Sequence, residues 1–161
     1  MDDNRFPIGL TPRERREPRR HFGGLVNQVY WDKLDILYFA GYALWNYLTF
    51  PFILEEPGVV LRENDNGAAP RLDAVFEANF PTHSVKQSFW LDPSRRLVRH
   101  DYTADVIGTW ATAANVCLDS VEADGLRFYN RRKVFPRLGP RQTIVRFPTL
   151  VWIEIDDLRV A

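Results

Sequence analysis

Residues 31–54 read WDKLDILYFAGYALWNYLTFPFIL, and the reading of this run decides the fold. Asp32 and Asp35 stand near its start, where carboxylates favour the positive end of a helix dipole, and Pro51 is placed to end or kink the helix. From Ile36 to Leu54 the run is apolar on almost every side, so it does not describe a surface helix with one wet face. Its length approaches the ~20 residues that cross a bilayer. Asn46, Pro51 and the Tyr and Trp side chains within it make a poor lipid-spanning segment, and a helix wrapped by protein is the better reading. The helix is expected from Trp31 to about Phe50, with Leu37, Ala40, Gly41, Leu44 and Leu48 buried and Gly41 permitting a close approach.

After Pro57-Gly58 the pattern changes to a period of two and keeps it to the end, with turn signals at ENDNGAAP, DPSR, ADG and LGP. The predicted strands are Val59 to Glu63, Arg71 to Phe80, Val85 to Leu91, Arg96 to Ala104, Ala111 to Ala123, Leu126 to Phe135, and Thr143 to Val160 broken near Pro148. Leu72, Ala74, Phe76 and Ala78 alternate with Arg71, Asp73, Val75 and Glu77, giving one dry face. Val151, Ile153 and Ile155 alternate likewise with Trp152 and Glu154. A sheet with one dry face needs a cover, and the helix is the apolar element left to supply it. The expected architecture is α+β, a curved antiparallel meander, or half-barrel, wrapped around a buried apolar helix.

The 161 residues suit one domain, expected over 26–161 behind an extended Pro- and Arg-rich arm over 1–25. Glu14 and Glu17 interrupt the basic run of that arm, and 21 Lys and Arg are balanced by 21 Asp and Glu, so nucleic acid is not an expected partner. Cys117 is the lone cysteine, which excludes an internal disulfide and fits a reducing compartment. The first twenty residues lack the apolar run of a secretory signal, and a cytoplasmic location is expected. Phosphate loops, paired cysteines and nucleophile elbows are all missing, and His21, His83 and His100 lack zinc-motif spacing, so neither cofactor nor metal is expected. The aromatic share of 14% points to rings that fill a core or line a pocket.

The informative polar residues break the apolar rhythm of the inner face. A four-residue turn at Asp92 to Arg95 would set Phe89 opposite Val98, Gln87 opposite His100 and Val85 opposite Tyr102. Regular pairing onward puts Asn115 opposite His100, and the Asp124-Gly125 turn puts Arg132 opposite Cys117. Gln87, His100, Asn115 and Arg132 then form a diagonal polar stripe in an apolar concavity. Of Arg131 and Arg132, alternation lets only one face inward. In a functional reading His100 and Tyr102 move or orient a proton, while Gln87, Asn115 and Arg132 hold a polar group of the ligand. His83, in FPTHS, is placed to reach the pocket rim, and Trp45 and Tyr38 would line the pocket from the helix. In the plainer reading the stripe residues satisfy one another.

WDKLDILYFAGYALWNYLTFPFIL, FPTHSVKQSFWLD, RLVRHDYTADVIG, ADGLRFYNRRKVFPR and LVWIEIDDLRV resemble, in order, the carboxyl-terminal part of a family of uncharacterised bacterial proteins. The Tyr38 to Asn46 helix and Arg99-His100-Asp101-Tyr102 carry the resemblance most specifically. Members of that family have further strands ahead of the helix. The order of meander, Asp-Gly turn and final alternating strand also looks like the half-barrel of periplasmic lipoprotein carriers and related lipid-binding proteins. That resemblance implies a cavity for an apolar ligand, without implying a reaction.

Three functions follow as expectations. The first is binding of a hydrophobic small molecule. The second is a cofactor-free cyclase, isomerase or hydratase acting on an apolar biosynthetic intermediate, with His100 or Tyr102 handling the proton. The third is an interaction module completed by a partner or by a second copy in a homodimer.

Overall fold

The computed structural model describes Trp31 to Val160 apart from Asp32, residues 66–68, Asn79, His83 and Pro140, with the backbone alone for Leu34 and Asp65. The expected arm over 1–25, the first residues of the expected domain and His83 lie outside the described residues. The chain forms helix α1 (Lys33–Thr49), a 3₁₀ turn (Phe52–Glu55) and strands β1 (Val59–Asp65), β2 (Pro70–Phe76), β3 (Lys86–Leu91), β4 (Leu97–Thr103), β5 (Thr112–Ala123), β6 (Leu126–Leu138), β7 (Thr143–Ile144) and β8 (Val151–Glu154). The strands form one eight-stranded antiparallel sheet in the order β1 to β7, with β8 also pairing β6. It curls as a half-barrel around α1, the α+β meander that the period-two pattern predicts. No helix among the described residues is long and apolar enough to cross a membrane.

The helix ends at Thr49, before the residue that precedes Pro51, because proline brings no N–H and restricts the conformation ahead of it. Its buried face is not the expected one. Leu37 is 66% exposed, Gly41 is exposed, and Ala40, Leu44 and Leu48 are only partly covered, whereas Asp35, Asn46 and Tyr47 are buried. A Cβ built on Gly41 would meet nothing within 4 Å, so no close approach depends on that glycine. A helix apolar all round has no preferred side of its own, and polar partners on the sheet choose the side that is buried.

The β3–β4 hairpin departs from the expected register by two residues, pairing Gln87 with Tyr102 and Phe89 with His100. Beyond Trp90↔Arg99 the pairing shifts to Leu91↔Leu97, which leaves Val98 as the extra residue of a bulge. Arg95, at φ 63°, closes the turn by donating its N–H to the Asp92 carbonyl at 2.9 Å. The bulge turns Val98 outward, 40% exposed, and sets Leu97 inward against Leu91. A slip of two keeps every other side chain on its face, so the expected faces survive. Further on, His100↔Asn115 and Cys117↔Arg132 pair as expected, because two shifts near Asp119 cancel before the Asp124-Gly125 turn. Strand β2 ends at Phe76 rather than Phe80, and Ala78 is exposed where the alternation predicts burial.

Two apolar clusters occupy the inner face. Ile53 and Leu54 of the 3₁₀ turn plug one end against Ala74, Phe76, Phe89, Leu91 and Leu97. At the other end Tyr47 of α1 packs with Tyr102, Ala104, Ala113 and Val134. Along β3, β4, β5 and β6 the boundary between the clusters falls at Gln87, His100, Asn115 and Arg132.

Candidate functional site

Those four polar residues form a buried seam, none more than 3% exposed. Gln87 is fixed by its amide group, since Nε2 donates to Thr82 Oγ1 at 2.8 Å and to the Ser84 carbonyl at 2.9 Å. Its Oε1 must therefore accept, and it takes Asn46 Nδ2 at 3.3 Å and His100 Nε2 at 2.6 Å. His100 thus carries its proton on Nε2. Its ring stacks on Phe89 with centroids 4.5 Å apart. Burial, then the charges of Arg132 and Arg137, hold the imidazole well below its usual pKa, so it is neutral near pH 7.

Arg132 is buried with no carboxylate partner among the described residues. Its guanidinium donates from Nη2 to the Tyr47 carbonyl at 3.2 Å and from Nε to the Tyr129 carbonyl at 3.1 Å. The Tyr47 carbonyl belongs to the last turn of α1, where a cation meets the negative end of the helix dipole and α1 supplies no basic residue of its own. The same guanidinium lies 4.8 Å from the Tyr47 ring centroid and 5.4 Å from that of Tyr129. Its Nη1 makes no hydrogen bond, and the Asn115 amide lies against the Tyr47 hydroxyl, where it favours the ionised phenol against the larger effect of burial. Arg131 points the other way, to Asp119 and Glu154.

Beside the seam, between α1 and the β5, β6 and β8 end of the sheet, lies a cavity of about 710 Å³. Hydrocarbon makes up nearly all of its wall, including Phe39, Ala43, Ala104, Ala113 and Val134. Exposed Ile36, Trp110 and Leu150 mark its mouth, Trp110 at 70% exposure. Tyr47 and Tyr102 stand on the wall with their hydroxyls 2.8 Å apart. Burial raises the Tyr47 pKa, and burial together with the neighbouring Tyr47 raises that of Tyr102 well above the usual value, so both phenols keep their protons. A second hollow of about 10 Å³, no larger than one water, is lined by Gln87, His100, Asn46, Thr82 and both tyrosines.

Of the residues predicted for the site, Tyr102 reaches the large cavity. His100 and Gln87 line only the small hollow behind it, and Asn115 and Arg132 lie beneath Tyr47 and line neither. Trp45 does not line the cavity either, since its ring packs on Phe80 with centroids 6.0 Å apart on the opposite side of α1. Tyr38 is half-buried and also absent from the wall. Both fail because the helix is rotated from its expected face. Tyr47 is the residue that sequence reasoning missed. It stands four residues after Ala43 and seven after Ala40, both on the cavity wall, so that helical spacing would have indicated it had that face been known. Cys117 is half-buried with its thiol pKa raised by burial, which makes it a poor nucleophile.

Fold and site together define an α+β half-barrel with an apolar internal cavity and a polar seam behind one wall. Comparisons with protein-family models, curated proteins and solved structures each find no match. The chemistry of the site therefore rests on its geometry.

Proposed function

We propose that the protein holds a hydrophobic small molecule in the cavity between α1 and the β5–β8 end of the sheet. The observation that carries this reading is the cavity itself, whose volume of about 710 Å³ lies within the usual range of ligand pockets of roughly 300–1,000 Å³. A hydrocarbon wall of this extent gains free energy when an apolar molecule replaces water, at ~25 cal/mol per Å² covered. Native mass spectrometry of gently purified protein, with organic extraction of the same sample, tests the reading. An adduct that disappears on extraction is expected. Recovery of bare protein that no apolar compound stabilises against heat would overturn it.

The tyrosine pair favours a second reading, a cofactor-free isomerase or cyclase. Tyr102 touches the cavity and keeps its proton, so in this reading it orients a ligand oxygen by donating a hydrogen bond rather than by giving up the proton. In this reading His100 is a positioning residue that holds the seam behind Tyr102. Turnover that survives in Tyr102→Phe would count against it.

A third reading, pairing of two copies, is supported by the sheet edge at β1, where Val60 and Leu61 are exposed. A monomeric mass in solution at micromolar concentration would exclude it.

A further inference from the structure

Charges of the two signs cancel in number but not in place. Between Asp124 and Glu154 every charged residue is Lys or Arg. Strand β6 carries this stretch from the Asp124-Gly125 turn to the cavity mouth, where Leu138 lines the opening. Carboxylates gather instead at the turn end, where Glu122 pairs with Arg127 and the segment holding Asp156 and Asp157 runs back to Asp124. That end lies about 30 Å of strand from the mouth, at ~3.3 Å per residue.

The mouth itself is apolar. Ile36 of α1, Trp110 between β4 and β5, Leu138 at the end of β6 and Leu150 before β8 all line the cavity, yet each is more than half exposed. Phe147 joins them, 84% exposed. Val145 and Leu150 donate their N–H groups to the carbonyls of Pro136 and Val134 on the cavity wall, at 2.9 and 2.8 Å, so the residues between them stand off the rim. Exposed apolar side chains gathered from four elements mark an interaction surface.

Exposed cations accompany this rim. Lys33 precedes Ile36 by about one helical turn, Arg141 follows Leu138 by three residues and Arg146 adjoins Phe147, and none of the three has a carboxylate partner among the described residues. The exposed carboxylate of the Trp110 connection, Asp105, accepts the Val85 N–H at 3.1 Å ahead of β3, and Glu154 is paired with Arg131. The surface therefore calls for an occupant that is both apolar and anionic. A second copy seated rim to rim would set cations against cations. Residues 1–30 carry more Lys and Arg than Asp and Glu, so they do not complement the rim either.

We infer that the mouth rim docks on an anionic lipid surface, with Trp110, Phe147 and Leu150 entering the headgroup layer and Lys33, Arg141 and Arg146 meeting its charge. Apolar side chains at headgroup depth with cations around them combine the two forces that hold a peripheral protein on a bilayer. The docked rim turns the open mouth of a hydrocarbon-lined cavity toward lipid, so an apolar molecule passes between the two without crossing water. This goes beyond the ligand reading, and vesicle binding is measured without any ligand.

Flotation of the full chain with vesicles tests it, comparing phosphatidylcholine alone with equal parts of phosphatidylcholine and phosphatidylglycerol. The anionic vesicles should bind the protein about tenfold or more tightly than the neutral ones, and added sodium chloride should weaken that binding. Phe147→Ser should lower affinity for the anionic vesicles by about tenfold, and so should Arg141→Glu combined with Arg146→Glu. Arg127→Glu combined with Arg159→Glu makes the same charge change at the turn end and should stay within about twofold of the parent, because salt screens charges that far from the surface. All these side chains are exposed, and circular dichroism reports that each variant is folded. The inference is overturned if no vesicle binds the protein, if neutral and anionic vesicles bind it equally, or if the rim variants bind as the parent does. A dimer that Phe147→Ser dissolves, found in place of vesicle binding, would assign the rim to a second copy and also overturn it. Each of these failures leaves the ligand reading standing, since native mass spectrometry decides that separately.

Discussion

His100 carries the clearest pH signature in the molecule. Its unfolded-state pKa lies near 6.5 and its folded-state value well below, so between the two the unfolded chain binds a proton that the folded chain refuses. Stability from this group is complete above pH 6.5 and falls as the pH drops below it, by up to ~1.4 kcal/mol per unit. Urea unfolding at pH 7.5 and 5.5 should show His100→Gln losing about 1 kcal/mol less between the two conditions than the unmodified protein. Equal losses would mean that His100 titrates normally in the fold. On the outer face Asp101 is buried under Arg99, Arg137 and the Trp90 indole, accepting from them at 2.7, 3.2 and 2.9 Å. Asp101→Asn keeps the shape and removes the charge that two guanidiniums share, so it should cost about 2–3 kcal/mol in chemical denaturation. Alternation predicts the outward direction of Asp101. Its burial depends on Arg137, distant in sequence and brought alongside by β6.

Helix α1 shows how far an element can be read without its neighbours. Composition alone predicts that it is a helix, that it ends at Pro51 and that it packs on a sheet. Its buried side is settled by Asn46 on Gln87, by Tyr47 on Tyr102 and by Arg132 on the Tyr47 carbonyl. Gly41 consequently faces outward in mid-helix with open space around it. Gly41→Ala should raise stability by ~0.5–1 kcal/mol, measured by urea unfolding, because glycine surrenders more backbone freedom to a helix and alanine meets nothing here. Leu37→Gln on the same side should stay within about 0.5 kcal/mol of the parent. A loss of several kcal/mol for either would restore the face that hydrophobicity alone suggests. The β3–β4 hairpin teaches a related lesson. Its faces were legible because a two-residue slip preserves them, and Val98 was not, because a bulge leaves no mark on a period of two.

Across the whole inner face, α1 and the 3₁₀ turn fill one end with hydrocarbon and leave the other end hollow. The hollow persists because small residues, Ala43, Ala104, Ala111 and Ala113, stand where large ones would close it. Ala111→Leu should fill part of the space, lowering affinity for an apolar fluorescent probe by about tenfold or more while leaving the thermal midpoint equal or higher, since the added methyl groups take up empty volume. Unchanged affinity in that variant would place the bound molecule elsewhere. The rim exposes Trp110 and Ile36, so the cavity stays open to solvent at its mouth, and the tyrosine pair marks its polar inner wall.

By itself the sequence determined the α+β class, the strand order, the helix and the four seam residues, because periods of two and breaks in hydrophobicity are local properties that survive small errors of register. Only the tertiary structure decided that Tyr47 rather than Tyr38 or Trp45 meets the cavity, that His100 stands behind Tyr102, and that Arg132 is capped by a ring. Those outcomes follow from a helix apolar on every side, whose orientation is fixed by a few hydrogen bonds to residues far away in the chain.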